Sequence, residues 1–287
     1  MKFTCNTATL SGAINIAQRA VSAKSNIPSL EGIYIETMSD ALKVIGYNLE
    51  VGIEVVIEAE ISEPGAIILN SRLFGEIIRR LPGSEKVFIT TDAQHMTNIV
   101  CAMSEYNIVG MPSEEYPELP RVDSEEAIEM PQDVLKSMIR QTIFAVSQND
   151  NKIVHTGSLL EISKESIRIV SVDGYRLALR EEKMDTLIPF EKKCFVVPGK
   201  TLSEVMKVLN DSDEPVSIII TAKHIVFSVE NIRLVSRLLE GDFLNYQNAI
   251  PKEHTLNVTT KVSPCLLYTS TRRYSPQARL TARLVRY

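Results

Sequence analysis

The sequence LSGAINIAQRAVS at residues 10–22 returns as LKSMIRQTIFAVS at residues 135–147. Leucine, isoleucine, alanine, valine and serine stand at matching positions in the two stretches. Each stretch spaces its apolar residues as a helix does, with Leu10, Ile14 and Ala17 in the first and Leu135 and Ile139 in the second. The repeated stretch therefore predicts that one helix occurs twice in the fold.

The likeness extends beyond this helix. Matching pairs of segments are 32–36 with 157–161, 42–45 with 167–170, 73–78 with 201–206, and 114–120 with 240–246. The repeated unit is longer than a solenoid repeat, which spans roughly 20–50 residues, and it has the size of a domain. Two copies of one domain favour a symmetric object over a single catalytic cleft.

The composition suits about two globular domains, with 287 residues of which 44% are hydrophobic. No apolar stretch is as long as a membrane span, and the first residues lack the apolar core of a signal peptide. We therefore expect a cytoplasmic protein. Its four cysteines form no CxxC pair and are expected to be reduced and mostly buried, with disulfides or a zinc site as the alternatives: Cys5, Cys101, Cys194 and Cys265.

The charge is unevenly distributed along the chain. The formal net charge is -5, but residues 262–287 contain arginines and no acidic residue. Without that segment the net charge is roughly -10. An acidic body usually argues against nucleic-acid binding, unless the basic residues are gathered on one surface, because the local field matters more than the net charge.

Each repeat reads as helix, strands, helix, strands. This order predicts an α+β fold with two helices packed on antiparallel sheets in each copy. Thr9, Ser71 and Asp133 are the predicted helix N-caps. Predicted strands of the first copy lie near residues 33–35, 42–46, 53–61, 86–91, 97–102 and 106–111.

The expected domain boundaries follow from the repeat. Residues 1–122 form the first domain, 123–252 the second, and 253–261 the first strand of an incomplete third copy. Residues 262–287 lack a helical or strand period. They are either a basic nucleic-acid-binding tail or, as we prefer, an atypical end that does not belong to the native fold, because the composition changes abruptly at an element boundary.

The helices are net basic although the body is acidic. Such sorting is typical of a surface that faces phosphates, although ordinary solvated helix faces are the alternative. No aromatic platform interleaves the basic residues, so any DNA contact should be to the backbone. The candidate DNA-binding residues on these helices are Arg19, Lys24, Arg72, Arg79, Arg80, Lys136, Arg140, Lys200 and Lys207.

Catalytic motifs are absent from the sequence. The histidines are scattered, and none has metal-ligand spacing. No GxSxG, P-loop or GxGxxG motif follows a predicted strand. We therefore expect neither an enzyme active site nor a cofactor or metal.

Residues 172–178, VDGYRLA, resemble the DGxRLA motif of the bacterial sliding clamp family, the β subunit of DNA polymerase III. Several other segments resemble the family in the same order and at the same spacing. They are MKF at 1–3, LEG at 30–32, EYPELP at 115–120, TIFAVS at 142–147, TG at 156–157 and LEG at 239–241. The resemblance covers residues 1 to about 261, and it implies the DNA clamp fold with two complete copies and the start of a third.

The resemblance implies a non-enzymatic function. Clamps of this family are head-to-tail dimers whose domains form a ring around double-stranded DNA, and they tether polymerase without reading sequence. Gln148, Asn149 and Lys152 match family positions near the duplex. The implied protein partners, bound through short peptide motifs, are the DNA polymerase III catalytic subunit, the clamp loader and repair proteins.

The family binds partner peptides in a pocket between its second and third domains. The matching positions in this chain are His155, Val172, Gly174, Tyr175, Arg176, Leu177, Leu244 and Ala249. Leu244 stands where the family often has proline, and His155 where leucine is usual. The first-domain half of the dimer interface matches Ser104, Glu105, Tyr106, Asn107 and Ile108. Without a complete third domain, we expect ring closure by this chain to be impaired.

Two functions are compared. The first is a DNA sliding clamp that acts as a processivity factor in DNA replication. The second is a protein-interaction scaffold that uses the same repeated domain without encircling DNA. Neutralising basic helix residues distinguishes them, because it should affect only a clamp.

Overall fold

The computed structural model describes residues 1–120, 122, 127–148, 150–183 and 192–250. Several predictions fall outside these residues: the DNA contact by Asn149, the strand at 253–261, the tail at 262–287, and the state of Cys265.

Within the described residues each repeat has two α-helices, as predicted. They are α1 (Thr7–Ala17), α2 (Ser71–Arg80), α3 (Gln132–Thr142) and α4 (Gly199–Val208). The predicted caps were wrong. The Asn6 side chain caps α1 by accepting from the Thr9 amide, and Asn70 caps α2 in the same way, because a cap must precede the first helical residue. Pro131 holds the cap position of α3, and Asp133 lies in its first turn.

The strands of the first repeat are β1 (Lys2–Asn6), β2 (Gly32–Thr37), β3 (Ala41–Tyr47), β4 (Val51–Glu58), β5 (Glu60–Glu63), β6 (Ala66–Asn70), β7 (Lys86–Thr91), β8 (Met96–Cys101) and β9 (Ser104–Val109). The single strand predicted at residues 53–61 is in fact divided between β4 and β5. The strand β6 was not predicted.

The strands of the second repeat are β10 (Ala127–Pro131), β11 (Gly157–Ser163), β12 (Ser166–Val172), β13 (Leu177–Lys183), β14 (Lys192–Pro198), β15 (Pro215–Ile220), β16 (His224–Val229) and β17 (Ile232–Arg237). Short 3-10 helices follow the first helix of each repeat, at Gln18–Ala20 and Ile143–Ala145.

The strands form three antiparallel sheets. Their orders are β5-β1-β7-β8-β9, β10-β15-β16-β17-β4-β3-β2-β6, and β13-β12-β11-β14. The eight-stranded sheet joins the two repeats, because β17 of the second pairs with β4 of the first. In this pairing Leu234 lies opposite Ile53, and Arg233 lies opposite Glu54. The two domains therefore share one hydrogen-bonded sheet.

The helices pack against the sheets in equivalent ways in the two repeats. Helix α1 contacts β3, β4 and α2, and helix α3 contacts β12, β13 and α4. Their apolar stripes are buried, for example at Leu10 and Ile14 in α1 and at Leu135 and Ile139 in α3. The periodicity that predicted these helices thus also predicted the faces that they bury.

None of the three described cysteines forms a disulfide. Cys5 and Cys101 are buried, as expected, whereas Cys194 is exposed. Burial raises the pKa of the Cys5 thiol to about 12, so this group stays protonated. Among the described helices, none has both the length and the apolar character needed to cross a membrane.

Candidate nucleic-acid interface and peptide pocket

Most of the predicted DNA-binding side chains are exposed. Those on the helices or in the segments that follow them are Arg19, Lys24, Arg72, Arg79, Arg80, Arg140, Lys200 and Lys207, and those near the 3-10 helix Asp150–Thr156 are Gln148 and Lys152. Both repeats contribute to this set: the first from α2 and the segment after α1, the second from α3, α4 and the segment after α3. Exposed cations on helices that recur with the fold can contact a regular phosphate backbone.

Arg79 is exposed but held in place. Its guanidinium Nη1 donates to Oδ1 of Asn15 at 2.9 Å and to Oε1 of Gln18 at 3.1 Å. Gln18 in turn donates through Nε2 to the carbonyl of Ser71, which begins α2. The contact between α1 and α2 therefore fixes the position of this cation before any ligand arrives, which lowers the ordering cost of binding.

Three of the predicted cations already have a carboxylate partner. Arg72 pairs with Glu76 at 3.1 Å, Lys207 with Glu204 at 2.6 Å, and Lys136 with Asp211 at 3.0 Å. The first two remain exposed. The Lys136 side chain is only 23% exposed, so it is less available to DNA than the other cations, and its DNA contact stays a prediction. Lys136 stabilises the contact between α3 and the turn after α4.

The loop between β12 and β13 is built around Asp173. Its Oδ1 accepts hydrogen bonds from the amides of Tyr175 and Arg176, and its Oδ2 accepts from Nε of Arg176 at 2.7 Å. Burial raises the pKa of Asp173, but these hydrogen bonds outweigh it and leave the pKa below the usual value. Gly174, with φ of +91°, completes the tight turn. This turn leaves Tyr175 97% exposed to solvent.

An apolar surface lies beside this loop. Buried Leu159, Val170, Val196 and Tyr246 form its base, and the partly buried side chains packed against that base are Val154, Leu177, Leu239, Phe243 and Ile250. The His155 ring meets Phe243 edge to face at 5.8 Å. Leu244 and Ala249 are exposed on the same segment as Phe243. Of the predicted pocket residues, Val172 is buried at the end of β12, opposite Leu177.

Sequence reasoning missed several of these residues. Phe144 is 42% exposed, and the Arg176 guanidinium lies 5.8 Å from its ring centre. Ile153 is 62% exposed on the neighbouring 3-10 helix. Phe243 lies in segment 240–246, which matches segment 114–120 at the end of the first repeat. The sequence match between these two segments was therefore a signal that could have identified it.

The first repeat lacks this open surface because its own chain fills the equivalent place. In the first repeat Tyr47 is paired with Gly52, and at the equivalent place in the second repeat Val172 is paired with Leu177. Gly52 therefore occupies the position of Leu177. Leu119 packs against Gly52 and against the cluster of Tyr47 and Tyr116. In the first repeat Gly52 leaves room for the Leu119 side chain, which fills the site that stays open in the second repeat.

His155 is a titratable side chain in the wall of the apolar surface. Burial lowers its pKa, and the positive charge of Lys152 lowers it further. The imidazole is therefore neutral near pH 7, which suits an apolar ligand.

The predicted dimer interface lies on β9, at one end of the five-stranded sheet. Glu105, Tyr106 and Asn107 are exposed there, and the Asn98 amide donates to the side chains of Glu105 and Asn107. Ile108 points into the core and is 6% exposed, so a partner would meet its backbone, and its place in the dimer interface stays a prediction. The backbone of β9 remains at the sheet edge, where a further strand can pair.

Two family models match the chain in sequence. Residues 1–120 match the N-terminal domain of the DNA polymerase III beta subunit, and residues 129–245 match its central domain. The beta sliding clamp of Bacillus subtilis strain 168 is 36% identical over 262 residues, which cover 88% of this chain and 68% of that protein. The beta sliding clamp of Staphylococcus aureus is 32% identical over 267 residues, covering 90% of this chain and 70% of that protein.

The structure is similar to those of solved clamps. A putative DNA polymerase III beta subunit from Eubacterium rectale aligns with a TM-score of 0.84 at 38% identity, covering 88% of this chain and 69% of that one. The DNA polymerase sliding clamp from Bacillus subtilis aligns with a TM-score of 0.85 at 34% identity, covering 88% and 68%. The chain therefore belongs to the DNA polymerase III beta-subunit family, the beta sliding clamps, and it is a processivity factor of DNA replication rather than an enzyme.

Proposed function

We propose that the helices of both repeats form the surface along which this clamp slides on double-stranded DNA. The observation that carries the proposal is the exposure of Arg79, Arg80 and Arg140 on helices that recur with the fold. Contacts to phosphates alone prefer no register, so they hold the duplex and still permit movement along it. The paired cations Arg72 and Lys207 contribute less, because each already has a carboxylate partner.

The apolar surface beside the β12–β13 loop is the proposed peptide pocket. His155, Leu177 and Leu244 supply apolar walls, and Tyr175 and Arg176 supply an exposed aromatic ring and a cation at the rim. Such a surface suits short peptides of the DNA polymerase III catalytic subunit, the clamp loader and repair proteins.

The exposed edge of β9 is the proposed first-domain half of a head-to-tail dimer interface. Because a clamp acts where the chromosome is replicated, we propose a cytoplasmic location.

The test measures binding of the full chain to a labelled DNA duplex at low salt by fluorescence anisotropy, a readout that does not depend on ring closure. We expect the triple variant Arg79→Gln, Arg80→Gln, Arg140→Gln to lose most of this affinity. The matched control neutralises three exposed lysines outside the helices, at Lys86, Lys164 and Lys223, and should retain it. Equal affinity of the two triple variants would contradict the proposed DNA surface.

A further inference from the structure

A hydrogen-bonded network links the sheet of the second domain to the segment that follows β17. The Tyr246 hydroxyl donates to Oε2 of Glu161 at 2.6 Å and accepts from Nη1 of Arg168 at 2.9 Å. Nη1 of Arg168 also donates to Glu161 at 3.1 Å, and its Nη2 donates to Glu181 at 2.8 Å. Tyr246 therefore joins an ion pair that spans β11, β12 and β13.

The Glu161–Tyr246 end of the network is shielded from water, whereas the Glu181 side chain at its other end is 42% exposed. Glu161 is 8% exposed and Tyr246 is 4% exposed. A carboxylate at such a depth is stable only when it is paired and hydrogen-bonded. The geometry of the Tyr246 hydroxyl is consequently fixed, because both of its neighbours are charged groups on rigid strands.

The first domain has the same ion pair but not this link. Lys43 and Glu36 are separated by 2.9 Å at the matching register of β3 and β2. The hydroxyl of Tyr116 instead donates to the carbonyl of Ile45, at a longer distance of 3.4 Å. The link between the ion pair and the following segment is thus a feature of the second domain, which carries the open apolar surface.

The linked segment is one wall of that surface. It leaves the sheet at a bridge between Leu239 and Val196, and Tyr246 then begins the 3-10 helix Tyr246–Ala249. Phe243 and Leu244 lie between these two points, and Ala249 lies just beyond. The position of the Tyr246 hydroxyl therefore sets where Phe243 and Leu244 stand relative to the β12–β13 loop.

We propose that Tyr246, together with Arg168 and Glu161, is a positioning group that holds residues 243–249 as a preformed wall of the peptide pocket. The inference rests on the proposed peptide-binding function of this surface. The ligand is a short peptide with apolar side chains, which binds more tightly to a wall that is already in place because less ordering accompanies binding.

The test compares Tyr246→Phe with Tyr116→Phe in the full chain, because each change removes one buried hydroxyl and leaves the ring. Hydrogen exchange should become about tenfold faster at residues 243–249 in Tyr246→Phe only, as expected for loss of one hydrogen bond to charged groups. Affinity for the purified DNA polymerase III catalytic subunit of Bacillus subtilis should fall by about tenfold in the same variant. Binding to duplex DNA should not change in either variant.

Each outcome has a distinct meaning. Unchanged exchange at residues 243–249 in Tyr246→Phe would overturn the positioning role, and so would faster exchange without loss of affinity. Failure of the unmodified chain to bind the catalytic subunit would instead contradict the proposed pocket, while the exchange data would still decide whether the wall depends on Tyr246. Arg168→Lys provides a second variant: it keeps the charge but loses the planar fork that reaches both Glu161 and Glu181, and it should behave like Tyr246→Phe.

Discussion

Gly46 in β3 lies directly against the carbonyl of Ala17 at the end of α1: a Cβ atom at position 46 would be 2.0 Å from that oxygen. The obstacle is backbone, so it cannot move aside as a side-chain end could. The helix therefore approaches the sheet as closely as it does because residue 46 has no side chain.

We predict that Gly46→Ala lowers the free energy of unfolding by about 1–3 kcal/mol, since overpacking of a closed core displaces backbone. Gly12→Ala is the matched control, because Gly12 lies inside α1 with nothing within 4 Å of its added Cβ. That change should raise the free energy of unfolding by about 0.5–1 kcal/mol. Urea denaturation followed by circular dichroism measures both values, and equal effects of the two substitutions would contradict the close approach.

The affinity for duplex DNA should depend on salt through the exposed helix cations. Removing one phosphate contact lowers the slope of log affinity against log salt by about 0.9, so we expect Arg79→Gln to lower it by about that amount. Lys136→Gln should change it much less, because Lys136 is paired with Asp211 and largely buried. Fluorescence anisotropy with a labelled duplex at several salt concentrations measures the slopes. A larger change of slope in Lys136→Gln than in Arg79→Gln would contradict the proposal that Arg79 contacts phosphate and Lys136 does so less.

Partner binding should weaken as the pH falls below the ordinary histidine pKa of 6.5. The folded chain holds the pKa of His155 below that value, first through burial and then through Lys152. Protonation then places a positive charge in an apolar wall, which disfavours an apolar peptide. Titration of catalytic-subunit binding between about pH 8 and pH 5 should show this loss, and His155→Leu should flatten it.

His224→Leu is the control for this titration. Burial, Arg237 and Lys223 also lower the pKa of His224, but this residue begins β16, outside the pocket. Its replacement should leave the pH profile of binding unchanged. A profile that follows His224 instead of His155 would exclude His155 as the group that titrates.

The second domain should lose stability in acid through Glu181. Burial raises the pKa of this carboxyl, but hydrogen bonds from Ser166 and Arg168 outweigh it and lower the pKa below the usual 4.5. The contribution is therefore fully present above about pH 4.5 and is lost as the pH falls through the lowered value. The urea midpoint of Glu181→Gln should accordingly vary less with pH between about 6 and 3 than that of the unmodified chain, and an equally steep curve would argue against this role.

The helices were the most predictable part of the fold. Their apolar spacing at Leu10, Ile14, Leu135 and Ile139 identifies both the element and its buried face. Their exact starts were less predictable, because Asn70 and Ser71 are both good cap residues and only the backbone shows which of them precedes the first turn. Strand β6 was missed because it lies between a turn and a helix, so its short apolar run offers no alternation to recognise.

The candidate sites were predictable by residue type but not by environment. The basic sorting of the helices pointed to Lys136 and the resemblance to clamps pointed to Ile108, but only the folded chain shows Asp211 beside the first and the core around the second. The Tyr246 network was hidden for the same reason, since its members lie far apart in sequence and meet only across three strands. Pairwise contacts of this kind depend on strand register, which a single sequence specifies weakly.

The pairing of β4 with β17 also has a mechanical consequence. A hinge between the two domains would have to break the backbone hydrogen bonds of this pairing together, so the joint is stiff and a force on one domain is transmitted to the other. These hydrogen bonds are made by the backbone and do not depend on particular side chains. Substitutions can therefore accumulate while the shape persists, as the TM-score of 0.85 at 34% identity with the Bacillus subtilis clamp illustrates.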